Sequence, residues 1–173
     1  MSHDHLTFAI AVPPGWQELD LLDPAAESVL GAPLAEALAG AERGTTEAQL
    51  LILRSLVAVT ESREPLAAGL SVTLAGPAAP ISQEPLDPEA LAGDGTFAEA
   101  DVSAIILPAG SGLRVRRLVP TKVGELPVAA LQVQYLLHTE HGLLTIALDT
   151  PQAADTDEWE QLFDALAATA RLS

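Results

Sequence analysis

Four of the chain's eight basic residues, Arg114, Arg116, Arg117 and Lys122, crowd between positions 114 and 122. Guanidinium forks suit carboxylates and phosphates, so this cluster is the first candidate for binding, as an anion or acidic-peptide contact. Arg114 and Arg116 alternate with Leu113 and Val115, which places both arginines on one face of a strand. The plainer reading is an edge strand guarded by charge. Gly110-Ser111-Gly112 precedes the cluster, but no Lys-Ser/Thr pair and no helix follows, so it lacks the makings of a phosphate loop. His138 and His141 flank Glu140 in a turn, and no third ligand completes a zinc set. Asp155, Asp157, Glu158 and Glu160 gather where a helix begins, and a helix dipole accounts for acids there. No Gly-x-Ser-x-Gly elbow exists. No nucleophile–base pair stands out, and no residue is assigned as catalytic or metal-binding. Nothing calls for a cofactor.

The elements that position these residues follow from periodicity. Leu131, Val133, Tyr135 and Leu137 alternate with polar residues, as do Leu144, Ile146 and Leu148, around the turn His138 to Gly142. This is a hairpin with one buried face. Trp159, Leu162, Phe163, Leu166, Ala167 and Ala170 then share one face of a helix capped near Asp155. Earlier strands are expected over Leu6–Val12, Leu70–Leu74, Asp101–Leu107 and Leu113–Val119. A helix is expected over Glu47–Arg54, passing into a strand near Ser55. Pro24–Glu42 is Ala-rich and helical in character. Gly76–Gly95 reads as a surface loop and Pro120–Pro127 as a polar linker. Pro13-Pro14-Gly15 ends the first strand, and Trp16 reads as a plug over the sheet edge. Small residues opposite the large aliphatics suggest a second covered face. The fold class is therefore α+β: a mainly antiparallel sheet of about six strands with helices on both faces, in one domain over 1–173.

Composition narrows the function. The chain has 173 residues, 24 acids and a net charge of −16. Such acidity excludes nucleic acid as a partner, because phosphates need bases to displace counterions. It also disfavours anionic membranes, and it suits solubility or a basic partner. The absence of cysteine removes disulfides and thiol chemistry. With no apolar run long enough to span a bilayer and no basic apolar leader at Met1–His5, no membrane insertion and a cytoplasmic location are expected.

The opening strand into Pro13-Pro14-Gly15-Trp16 resembles the Mog1/PsbP-like superfamily. So does the close, Leu143–Leu148, Thr150-Pro151 and the helix Glu158–Arg171 with Phe163-Asp164-Ala165-Leu166. More loosely, the layout looks like that of uncharacterised actinobacterial proteins. The resemblance implies an α/β/α sandwich whose members bind proteins rather than catalyse. It implies a non-enzymatic binding or adaptor domain with a protein partner, accessory to a secretion or envelope system. It assigns no residue a role. The partner would be held by the sheet edge or the loop Gly76–Gly95. The alternative is a small-molecule or anion binder with a pocket between sheet and helices, lined by Trp16 and the Arg114, Arg116, Arg117 and Lys122 cluster.

Overall fold

The structure is a computed structural model that describes residues 7–12, 14, 16–18, 50–59, 66–76, 80–83, 85–89, 100–123, 125–150 and 156–173. The strands are β1 (Phe8–Ala9), β2 (Trp16–Glu18), β3 (Leu50–Val59), β4 (Leu66–Ala75), β5 (Asp101–Leu107), β6 (Gly110–Val123), β7 (Leu126–Thr139), β8 (Gly142–Thr150) and β9 (Arg171–Leu172). The helices are α1 (Pro80–Gln83) and α2 (Thr156–Thr169). Seven strands form one antiparallel sheet in the order β2-β3-β4-β8-β7-β6-β5, and β1 pairs with β9 alone. The fold class is α+β.

The C-terminal unit is built as its periodicity predicts. Leu131, Val133, Tyr135 and Leu137 on β7 and Leu144, Ile146 and Leu148 on β8 are buried on one face. α2 lays Phe163, Leu166 and Ala167 across them, and Leu70, Val72 and Leu74 of β4 complete the core. Each large side chain so buried contributes roughly 1.5–3 kcal/mol. Trp159 packs its ring 5.8 Å from that of Phe163. The turn between β7 and β8 is only Glu140-His141, tighter than the five residues expected. Gly142 closes it at φ 125°, where a Cβ would lie 1.9 Å from the Ala75 carbonyl oxygen. Only glycine fits there.

Four expectations need correction. First, Leu50–Arg54 is strand, not helix, since β3 runs unbroken from Leu50 to Val59 apart from bulges. A short apolar run has no period that separates the two states, and the ladder offered by β4 decides. Second, the opening strand shrinks to Phe8–Ala9 and leaves the main sheet for β9. Thr7 and Ser173 extend that pairing, each N–H donating to the other's carbonyl at 2.7 and 3.0 Å. Third, Pro120–Pro127 is no linker: β6 and β7 continue through it as a paired ribbon. Fourth, β6 is not an edge strand where Arg114 and Arg116 stand, because β5 pairs outside it over Gly110–Arg116.

The second face of the sheet is also covered, as Leu113, Val115, Ala75 and Leu143 are buried there. Part of the cover is the α1 segment. Ser82 Oγ donates to the Ala75 carbonyl at 2.9 Å and accepts from the Leu143 N–H at 3.3 Å. Leu86 packs beside it. The Ala-rich helix expected over Pro24–Glu42 lies outside the described residues. Among the described residues, no helix is long and apolar enough to cross a membrane.

Candidate functional site

Three places on this scaffold hold polar groups or open backbone that a core does not require. The first is the arginine pair. Arg114 and Arg116 lie two apart on β6 and face α2, whose Glu160 and Asp164 lie four apart and so also share a face. Arg114 Nε donates to Asp164 Oδ1 at 2.8 Å, and its Nη2 donates to Glu160 Oε1 at 2.6 Å. Arg116 Nε donates to Glu160 Oε2 at 2.8 Å. Beneath them the buried Tyr135 hydroxyl donates to Asp164.

The charges shift accordingly. Desolvation pulls the Arg114 guanidinium down, but hydrogen bonds to Asp164 and Glu160 outweigh it and hold the group firmly ionised. Burial first, and then the Asp164 hydrogen bond and charge, push the Tyr135 phenol well above its ordinary range. Desolvation opposes ionisation of Glu160, yet the two arginines more than offset it and its carboxyl is lowered. This is a bolt between sheet and helix, and its cations are already engaged by internal carboxylates. Tyr135→Phe leaves the Arg114–Asp164 pair standing and is expected to cost about 1 kcal/mol in urea unfolding, as for one hydrogen bond.

The remaining cluster members scatter. Arg117 points to the opposite face, where its Nε donates to Gln132 Oε1 at 2.9 Å. Lys122 pairs in register with Pro127, and its side chain lies outside the described residues. Trp16 stands on β2, partly buried against the main core. Four strands separate β2 from β6, a span of about 24 Å at the usual strand spacing. The structure therefore does not bring Trp16 and the arginines to one pocket wall. His138 sits in β7 opposite Ser111 and Leu143, while His141 lies in the turn with Nε2 3.5 Å from Glu140.

The second place is Asp149. It is paired with Gln132 and Gly69 on the second face, in line with Arg117 beyond Gln132. The carboxylate is largely buried and lies so close over Gly69 that a Cβ there would sit 2.7 Å from its Oδ1. Burial pushes its carboxyl up to about 6. Sequence periodicity hides this residue, since a polar residue at an alternate position reads as solvent-facing.

The third place is the outer edge of β5. Leu107 and Gly110 close a two-residue turn, which makes them a hydrogen-bonded pair. By alternation, the amides of Val102, Ala104 and Ile106 then point away from β6, to the side where no strand lies among the described residues. Ile106 is 86% exposed. The same alternation along β6 and β7 aims the missing N–H of Pro120 and of Pro127 at the two outer sides of their ribbon. β5 reaches Arg116 and β8 reaches Leu131, so among the described residues the ribbon has no neighbouring strand there. Those outer sides are blocked by proline. The described part of the β2 edge is three residues long. β5, with seven residues and no proline, bulge or lysine, is the described edge left fit to pair. The signal was present in Asp101–Leu107, but only the strand order shows that no described strand lies outside it.

No protein-family model matches the sequence, and the curated proteins give no significant match. Among solved structures, the chain is similar to LpqN of Mycobacterium tuberculosis, a protein involved in cell envelope biogenesis. The identity is 10% and the TM-score 0.45, over 97% of this chain and 84% of that one. It is also similar to a protein from Bacteroides thetaiotaomicron at 11% identity and TM-score 0.47. That match spans 96% of this chain but only 45% of the other. No residue role transfers at such identity.

Proposed function

We propose that this is a non-enzymatic binding domain that holds a protein partner on the free edge of β5. The supporting observation is the contrast between edges among the described residues: proline blocks the ribbon, β2 is described over three residues, and β5 offers three outward amides beside an exposed isoleucine. An unpaired edge of this kind is a liability in a protein that does not use it, and main-chain hydrogen bonds supply the affinity in strand addition. The alternative of an anion or small-molecule pocket lacks its shared wall, because Trp16 and the arginines stand on distant strands. As part of the same reading we place the chain in the Mog1/PsbP-like superfamily, as an accessory factor of a secretion or envelope system. That finer step rests on the Pro13-to-Trp16 opening and the closing hairpin and helix.

The test uses Ala104→Pro. Its lost amide points outward, so no ladder bond is broken, and the thermal midpoint should move little. A photo-crosslinking residue at position 106, in the native host, should capture a defined protein, and Ala104→Pro should abolish that capture. Crosslinks from 76–95 with none from 106 would move the site to the loop. No protein captured from either would end the binding-domain reading.

A further inference from the structure

We infer that the docking segment of the partner is an extended, basic strand. It adds antiparallel to β5, with apolar residues at three alternate positions and a Lys or Arg one position beyond the last. This deepens the reading of β5 as a docking edge and rests on it. Antiparallel addition continues the pattern of every pairing in the sheet and is the more stable arrangement per residue.

The register follows from which way each β5 residue points. Val102 pairs with Val115 and Ala104 with Leu113, and both partners are buried on the second face. Ile106 stands in the same row, exposed. An incoming strand would set alternate residues opposite Ile106, Ala104 and Val102, extending those apolar rows by one strand. Apolar side chains there would cover Ile106 and gain cross-strand contacts.

The next position faces Asp101, on the α2 side. Asp101 keeps an 85% exposed side chain and only a 3.9 Å contact with Arg116 Nη1. Arg116 already donates its Nε to Glu160. Asp101 is thus open to a cation opposite it. Asp157 and Glu158 are exposed at the start of α2 on that face of the sheet. The whole molecule carries −16 and so attracts a basic segment at long range. The same charge opposes a second copy of this chain on the edge.

Two labelled, end-capped peptides test this by fluorescence anisotropy against the whole protein. Both alternate valine and threonine; one ends in two lysines, the other in two glutamates. The lysine peptide should bind about tenfold tighter or more. Raised salt should narrow the gap, and so should Asp101→Asn. Ala104→Pro should remove binding of both peptides. Ile106→Lys, a second edge-blocking change, should do the same if the proline variant folds poorly.

Equal binding of both peptides, lost in the edge variants, would overturn the basic segment and leave the docking edge intact. Binding that survives both edge variants would overturn the edge itself. Failure of both peptides to bind the wild type would overturn both. So would wild-type dimers in sedimentation that Ala104→Pro dissociates, since a second copy would then occupy β5.

Discussion

Replacing Arg114 by glutamate is expected to destabilise the domain by about 2 kcal/mol at pH 7, between the scales for exposed and buried ion pairs, since Arg114 is mostly covered but Asp164 is nearly half exposed. Arg114 holds Asp164 and Glu160 at once, and Tyr135 leans on the same Asp164. In the variant three carboxylates would face one another above a buried phenol. Like charges that close cannot all stay ionised, so some would take up protons or the helix would lift. Arg116→Glu should cost less, since Arg116 donates to Glu160 alone on α2.

The pH dependence gives a second readout. In the wild type, the folded-state carboxyl of Glu160 is lowered. Its contribution is present above its ordinary value of 4.5 and is lost as pH falls through the lower folded value. In Arg114→Glu the sign should invert, with stability gained on acidification as the crowded carboxylates protonate. Urea midpoints between pH 7 and pH 3 would show both effects. An unchanged midpoint at pH 7 would mean that the bolt contributes little. The same physics disqualifies charge reversal of Arg114 and Arg116 as a test of binding, because lost capture would report a loosened helix.

Asp149→Asn should instead stabilise the domain, by about 2 kcal/mol at pH 7. Its carboxyl rises from 3.8 to about 6 through burial, and among the described residues no cation relieves it. Two units at about 1.4 kcal/mol each set the upper scale near 3 kcal/mol. An unsatisfied amide would take back part of that. The folded state binds this proton more tightly than the unfolded chain does. The wild type therefore gains stability from Asp149 below about pH 4 and loses it as pH rises towards 6. The difference between variant and wild type should be small at pH 4, grow to about pH 6 and stay level above it. A difference that does not vary with pH would show that Asp149 is charged at no cost. Gly69 makes room for the carboxylate, so a side chain at 69 would have to push Asp149 aside.

The C-terminal half of the fold was legible in the sequence. The alternation in Leu131–Leu137 and Leu144–Leu148 and the helical spacing from Trp159 to Ala170 each fix a face through local geometry alone. The middle was legible only in part. Leu50–Arg54 carries no period, and its state was decided by a neighbour, β4. Pro120 and Pro127 read as breakers because proline lacks an N–H, yet both stand in strands whose affected side has no partner among the described residues. That fact belongs to strand order, not to any stretch of sequence.

The candidate site divides in the same way. The spacing of Arg114 and Arg116, and of Glu160 with Asp164, put each pair on one face of its own element. Charge and composition alone set against nucleic acid and thiol chemistry. Tertiary structure decided that the two pairs meet, that Asp149 is largely covered, and that β5 is outermost among the described strands, with three amides turned outward. Periodicity fixes which way a side chain points within its element. What it points at depends on contacts between residues dozens of positions apart, and only the packed chain supplies those.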